Sequence, residues 1–269
     1  MKQQGQGSMA VNRRSFLKNS GIAGVSLAGA AMVAGKVGAF DQVSGARKLG
    51  LGSTAAHAAG LSPADIEVLQ FALNLEYLEG EFYSFAVTGK SLQDNGIGID
   101  GIVGNPGPTT GGAKVPFKEL HGKGPIRAIA EQLMRDELNH VLLIRSILGP
   151  EFTIAKPAIN LGAVVAMNTL QGFLTLARDF EATGTSAYGG AVGLIDQTIL
   201  QTAVQIGLVE ALHLGNLQLL VDLNEIPISP LDVLDIVPPP TGNDFFPASF
   251  DQGLAVIRNT NQVMAIAYG

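Results

Sequence analysis

Hydrophobic residues recur every three or four positions in four long stretches of the chain, which is the spacing that places them on one face of an α-helix. The predicted helices cover about 63–88, 126–148, 161–188 and 194–224. The first has a clear start, because Ser62 can serve as N-cap and Pro63 occupies the first helical position. No stretch alternates well enough to predict a sheet, so the pattern indicates an all-α fold.

The connections between these helices predict how the helices are arranged. Residues 89–117 are dense in Gly, Pro and Asn, which predicts a long loop. The connection between the second and third helices has about ten to twelve non-helical residues, enough to run the roughly 35 Å length of a bundle at about 3.3 Å per residue. The third and fourth helices are closely linked and therefore antiparallel. This is the pattern of a four-helix bundle with one long crossover. A Pro-rich segment at 226–242 then leads to a short helix near 251–267.

The N-terminus predicts an export signal. Paired Arg13 and Arg14 precede an apolar, Gly- and Ala-rich run at 21–35, and together they resemble a twin-arginine signal. The run is too short to span a bilayer comfortably. We therefore expect the twin-arginine machinery to export the protein to a periplasmic or other extracytoplasmic site. The predicted divisions of the chain are a signal and linker at 1–58, the bundle at 59–225 and the extension at 226–269.

Composition narrows the chemistry. The chain has 269 residues, of which 15% are charged, and its net charge of -6 argues against nucleic acid as a partner. It contains no cysteine, which excludes disulfides, thiolate metal sites and iron–sulfur clusters. Any metal must therefore be held by carboxylates and imidazoles.

Two of the four histidines stand three residues after a glutamate. The pairs are Glu137 with His140 and Glu210 with His213. Residues at this spacing lie one turn apart on the same face of a helix, so both members can reach one metal ion. One such pair would more often be a surface pair than a ligand pair, but two in one chain favour metal binding.

Four glutamates, one on each helix, lie in the middle of the apolar stripe that should face the core. They are Glu76, Glu137, Glu181 and Glu210. Four ionised carboxylates in one core would be untenable alone, since each carries a desolvation cost of several kcal/mol. Either cations lie among them or the carboxylates are protonated. Arg178, near the edge of the third stripe, is the only basic candidate. Two divalent metal ions would balance the four charges.

A repeat supports a symmetric site. Glu76 and Tyr83 are seven residues apart, as are Glu181 and Tyr188, and each pair is followed by one Glu-x-x-His. We interpret this as a pseudo-two-fold site built from two helical hairpins. The tyrosines can be core-packing residues or redox partners.

Two further acidic residues follow Glu76 on the first helix. Glu79 lies roughly 60° from Glu76 around the helix axis, so it can support the ligands or be an alternative ligand. Glu81 is expected to point away from the core into solvent.

In its four core glutamates and two Glu-x-x-His pairs, the chain resembles the ferritin-like superfamily of di-iron and di-manganese carboxylate proteins. "FALNLEYLEGEFY" (71–83) and "QVMAIAYG" (262–269) resemble more closely an exported ferritin-like group that includes desiccation-related proteins. The resemblance implies two iron or manganese ions. It implies the ligands Glu76, Glu137, His140, Glu181, Glu210 and His213. The long loop before the second helix departs from simple iron-storage cages.

The resemblance also implies an asymmetry between the halves. In sites with the "DExxH" pattern, the aspartate of one helix serves the histidine of the opposite helix. Asp136 would then orient His213, whereas Val209 stands at the matching place before Glu210 and leaves His140 without an equivalent aspartate.

Three functions remain open at this point. The leading hypothesis is redox chemistry on dioxygen or peroxide in stress protection. The alternatives are a non-catalytic desiccation or stress scaffold with a structural metal site, and an iron-binding or storage protein. An oligomer is compatible with all three, and the ligand types accept iron and manganese equally.

Overall fold

The computed structural model describes residues 60–162, 164–249 and 251–268. Four long helices and one short helix account for most of this part of the chain: α1 (Pro63–Thr88), α2 (Ile126–Phe152), α3 (Leu170–Ala191), α4 (Gln197–Leu223) and α5 (Thr260–Tyr268). The predicted all-α bundle is confirmed. The export signal predicted at 1–58 lies outside the described residues.

Helix α1 has the ends that its sequence predicts. The Ser62 hydroxyl accepts a hydrogen bond from the Asp65 backbone N–H at 3.2 Å, and the Asp65 carboxylate accepts one from the Ser62 N–H at 3.0 Å. This reciprocal capping box satisfies two donors that would otherwise lack partners. At the other end Gly89 has φ 77°, the left-handed conformation that terminates helices.

Helix α2 continues one turn beyond the end predicted at Leu148. Gly149 leaves the helical conformation, with φ 65° and ψ 176°, immediately before Pro150. The chain then returns to helical bonding, because the Thr153 N–H donates to the Gly149 carbonyl at 3.1 Å. The Gly-Pro pair therefore kinks the helix at the predicted place instead of ending it.

The prediction that the third helix begins near 161 was wrong. Ile159–Asn160 forms a two-residue strand, β2, paired in parallel with β1 at Thr109–Thr110. The Leu161 N–H donates to the Thr110 carbonyl at 2.8 Å. The segment around 159–161 is therefore bonded to the long loop and cannot begin the helix. Helix α3 begins only after Thr169, whose hydroxyl accepts from the Gly172 N–H at 3.0 Å.

The terminal helix also begins later than predicted, at Thr260 instead of about 251. The preceding residues form a tight turn in which the Ser249 N–H donates to the Leu254 carbonyl at 2.8 Å. Gly253 has φ 64° within that turn, which a helix cannot accommodate.

The long loop packs against the crossover between α2 and α3, and Lys156 joins them. Its ammonium group donates to the carbonyl of Gly107 at 2.8 Å and to the hydroxyl of Thr109 at 3.0 Å. The same group lies 3.6 Å from the Glu81 carboxylate. Glu81 is only 1% exposed, so the expectation that it faces solvent was wrong. The loop and crossover cover the face of α1 that would otherwise be the outside of the bundle.

Two buried arginines hold the C-terminal extension against α3. Arg178 donates to both carboxylate oxygens of Asp235, at 2.7 and 2.6 Å. Arg258 makes a similar pair of bonds with Asp232, at 2.9 and 2.7 Å, and donates to the Ser186 hydroxyl of α3 at 2.9 Å. The extension is therefore fastened to the bundle by charge-assisted bonds.

Within the described part of the chain, α4 is the helix whose length and mean hydropathy of 1.3 would suit a membrane crossing. Its inner side is part of the bundle core and carries Glu210 and His213. Its outer side exposes leucines, with Leu208 and Leu212 more than 60% exposed. Helix α4 is therefore buried on one side only, although its sequence is apolar on both sides.

Candidate metal centre

The six predicted metal ligands lie together, buried between the four long helices. Helices α1 and α3 contribute one glutamate each, and α2 and α4 contribute one glutamate and one histidine each. They are Glu76, Glu137, His140, Glu181, Glu210 and His213. The four glutamates have no exposed surface.

Three carboxylates converge on one nitrogen of His140. Its Nδ1 lies 3.3 Å from Glu76 Oε2, 3.2 Å from Glu137 Oε2 and 3.3 Å from Glu210 Oε1. A single ring N–H cannot serve three acceptors with good geometry. We name this group of four residues centre I. Its donors lie within 4.8 Å of one another, as the ligands of one ion must.

A second group surrounds His213. The Nδ1 atom of this histidine lies 3.1 Å from Glu137 Oε1 and 3.2 Å from Glu181 Oε2. With Glu210 these residues again offer donors within 4.8 Å of one another, and we name them centre II. Glu137 and Glu210 belong to both centres. The arrangement therefore places two candidate ion sites side by side with two shared carboxylates.

The tyrosines connect the two hairpins. Tyr83 of α1 donates to Glu181 Oε1 of α3 at 2.7 Å, and Tyr188 of α3 donates to Glu76 Oε1 of α1. On each helix the tyrosine follows the glutamate by seven residues, and each tyrosine contacts the glutamate of the other helix. This arrangement requires α1 and α3 to run antiparallel. Both tyrosines thus contact a glutamate of the opposite hairpin, and the geometry matches the pseudo-two-fold repeat of the sequence.

Buried oxygens without partners show that the cluster is incomplete as a purely protein structure. Within the described residues, Glu76 Oε2, Glu137 Oε1 and both oxygens of Glu210 make no hydrogen bond of good geometry, although three of the four lie 3.1 to 3.3 Å from an imidazole Nδ1 atom. Leaving such groups unpaired in a core costs several kcal/mol each. Arg178 does not relieve them, because its guanidinium group is bonded to Asp235. Divalent cations fit this set of carboxylate oxygens and imidazole nitrogens.

The protonation of the cluster agrees with a missing positive charge. Burial raises the pKa of Glu137 to about 7, and the charges of Glu210 and Glu76 contribute to the rise. Burial lowers the pKa of His213, but its bonds with Asp136, Glu137 and Glu181 outweigh this and raise the pKa to about 12. Burial also lowers the pKa of His140, but the charge of Glu76 and the contacts with Glu137 and Glu210 raise it overall. Each imidazole therefore holds a proton that a metal ion would displace.

Comparison with known families agrees with this geometry. A family model described as a ferritin-like domain matches residues 64–222, more than half of the chain. The chain belongs to this family. Comparison with curated proteins and with solved structures yields no match.

One contact breaks the symmetry of this ferritin-like domain. His213 Nε2 lies 3.1 Å from Asp136 Oδ2, which is the contact that the "DExxH" pattern predicts. Within the described residues, the hydrogen bonds of His140 all involve its Nδ1 atom. The orienting role of Asp136 toward a bound metal stays a prediction, but the carboxylate is in position for it.

Glu79 lies beside the two centres of the ferritin-like domain. It is 2% exposed, and its Oε2 has no hydrogen-bond partner among the described residues. Burial and the negative charges of Glu210 and Glu181 hold its pKa well above the usual range. The sequence had left open whether Glu79 supports the ligands or joins them.

Sequence reasoning missed Gly184, which faces the same space from α3. A Cβ atom on Gly184 would lie 2.6 Å from Glu210 Oε2 and 2.9 Å from Glu79 Oε1, closer than such contacts allow. The signal was present in the repeat: when Glu76 is aligned with Glu181, Glu79 falls opposite Gly184.

Proposed function

We propose that this ferritin-like domain binds two ions of iron or manganese and performs redox chemistry on dioxygen or peroxide. The observation that carries the proposal is the pair of buried donor groups that share Glu137 and Glu210. A bound pair of such ions supplies electrons to reduce a small oxidant. The absence of cysteine and the shared carboxylates favour these metals over thiolate-bound zinc or copper.

The residues around the ions have distinct tasks in this proposal. Glu137 and Glu210 would each serve both ions, while His140 and His213 would each serve one centre. The hydrogen bonds from Tyr83 and Tyr188 fix the carboxylates of Glu181 and Glu76. The surrounding apolar side chains exclude bulk water and limit side reactions at the ions.

Elemental analysis of protein purified from its native compartment tests the metal content. We expect two ions of iron or manganese per chain, and a content of zero or one, or two ions of zinc, would contradict the proposal. The loaded protein should then consume peroxide or dioxygen, and a variant carrying Glu137→Gln should not.

The same preparation distinguishes the alternatives. Two tightly bound ions without turnover would favour a structural metal in a stress scaffold. A large hollow assembly that accumulates many iron atoms per chain would favour storage. The long loop at 89–117 is folded along the bundle. It supports redox chemistry over iron storage, because simple storage cages lack such a loop.

We also propose that the protein is exported by the twin-arginine machinery and acts in stress protection outside the cytoplasm. Arg13, Arg14 and the apolar run at 21–35 support this. Because the twin-arginine route carries folded proteins, the metal can be loaded before export. A double Arg13→Lys, Arg14→Lys variant should accumulate in the cytoplasm with its signal uncleaved. Normal export of that variant would contradict the proposed route.

A further inference from the structure

The two hairpins differ at one position of α1 and α3 that faces the metal centres. Aligning Glu76 with Glu181 also aligns Tyr83 with Tyr188, and both pairs have equivalent contacts. The same alignment places Glu79 opposite Gly184. One half therefore presents a carboxylate where the other half presents no side chain.

Gly184 leaves space that Glu79 and Glu210 use together. Glu79 Oε1 and Glu210 Oε2 both lie within 3 Å of the point where a Cβ atom of Gly184 would stand. Any larger residue there would push one or both carboxylates away. The missing side chain on α3 thus permits a carboxylate of α1 to approach a shared carboxylate of α4.

Among the described residues, no hydrogen bond accounts for the position of the Glu79 Oε2 atom. Glu79 is 2% exposed, and its Oε2 is unpartnered within the described residues, as are both oxygens of Glu210. The buried lysine and arginines of the described chain are engaged elsewhere, Lys156 with Glu81, Arg178 with Asp235 and Arg258 with Asp232. A buried carboxylate beside another carboxylate needs a proton or a cation between or beside them, and a metal ion would supply the cation.

Charge counting indicates what a fifth carboxylate would do. The four glutamates of centres I and II balance two divalent ions. Glu79 adds one further negative charge, which is balanced when one ion is trivalent. Anionic ligands in a low-dielectric interior favour the more highly charged state of a metal, because the attraction is weakly screened there.

We propose that Glu79 is a seventh ligand of the metal pair, reaching it on the side of Glu210 that Gly184 leaves open, and that its charge lowers the reduction potential of the ions. This inference rests on the two-metal function proposed above. It assigns Glu79 a role that Gly184, the equivalent residue on α3, cannot have because it lacks a side chain.

Glu79→Gln tests the proposal, with Glu67→Gln as the matched control, since Glu67 is an exposed glutamate of the same helix. Metal-free protein is titrated with Mn²⁺ or Fe²⁺, and the reduction potential of the loaded protein is measured by spectroelectrochemistry. We expect Glu79→Gln to weaken binding of at least one ion by about 10- to 100-fold and to raise the potential. Glu67→Gln should match the wild type in both measurements.

Gly184→Ala provides an independent variant that keeps every charge. It should weaken metal binding in the same direction, because it displaces the Glu79 and Glu210 carboxylates. A metal-loaded structure should show a Glu79 oxygen bonded to an ion. Unchanged affinity and potential in Glu79→Gln, or a loaded structure with Glu79 away from both ions, would overturn the inference while leaving the two-metal function intact. A wild-type protein that binds no metal would overturn both.

Discussion

The α1–α2 hairpin and the α3–α4 hairpin provide the same three predicted ligands and one tyrosine each but differ around them. Each supplies a glutamate, a tyrosine and a Glu-x-x-His pair. The differences beside the ligands include Asp136 against Val209 and Glu79 against Gly184. The shared residues are those that two ions need equally. In the proposed two-metal site, the unshared residues are those that would make the two ions unequal.

The hairpins differ as strongly on their outer sides. The long loop and the crossover cover α1, so that Glu81 and Lys156 are buried there as an ion pair. Within the described residues no segment covers the leucines of α4 in the same way, and Leu212 is 67% exposed. Two apolar helices of similar length therefore have different surroundings, because only one lies beside a long connection.

Removing a shared carboxylate should have the largest effect on this comparison. We expect Glu137→Ala or Glu210→Ala to reduce the metal content from two ions to nearly none, since each residue contacts both centres. Glu76→Ala and Glu181→Ala should each retain about one ion, because each belongs to a single centre. Elemental analysis of folded protein checks this, and equal losses in all four variants would remove the distinction between shared and single ligands.

Breaking the outer ion pair of the α1–α2 hairpin should affect stability and not metal content. Glu81→Gln leaves the buried Lys156 ammonium without its charge partner, and we expect a loss of about 3 kcal/mol in the free energy of unfolding. Denaturant titration measures that loss, while the number of bound ions should stay at two.

The double variant Glu81→Leu, Lys156→Met is the control, since it removes both charges together. It should recover most of the lost stability. A decreased metal content in folded Glu81→Gln would show that this residue serves the centres after all.

The reciprocal tyrosines test how equal the two halves are. Tyr83→Phe and Tyr188→Phe each remove one hydrogen bond to a buried carboxylate, and we expect each to cost about 2 kcal/mol of stability in the metal-loaded protein. Thermal or denaturant unfolding compares the two directly. A large loss of stability in one variant alone would mean that the two tyrosine contacts, although similar in geometry, contribute unequally to the free energy of unfolding.

Asp136 should produce the smallest effect, a difference in how tightly the two ions are held. The contact with His213 is expected to make the ion of centre II about tenfold slower to leave than that of centre I. Stepwise removal with a chelator, followed by a structure of the half-depleted protein, identifies the remaining ion. Asp136→Asn should reduce the difference in dissociation rate between the two ions. Loss of the centre II ion first in the wild type would contradict the prediction.

Local rules explain the parts of the molecule that could be predicted. The start of α1 follows from Ser62 and Pro63, which act within one turn of the chain. The two Glu-x-x-His pairs share a helix face because of the helical period alone. The apolar stripes then predict that these residues turn inward, and the bundle brings the ligand-type residues together.

Sequence reasoning was less successful where distant segments meet. Glu81 was expected in solvent because its face of α1 is outside the ligand stripe, yet residues some seventy positions later bury it. The late start of α3 has the same origin, since Ile159–Asn160 pairs with Thr109–Thr110 of the long loop. Neither contact leaves a periodic signal in its own helix.

The sequence by itself determined the four helices, the inward stripe of glutamates and histidines and the repeat that relates the hairpins, because each depends on spacing within one segment. Only the tertiary structure decided that Glu137 and Glu210 are shared by two centres, that Arg178 turns to Asp235 instead of the glutamates, and that Gly184 opens space for Glu79. These depend on the approach of side chains from different helices. Distance and burial between segments follow from how the whole bundle packs, and no single stretch of sequence contains them.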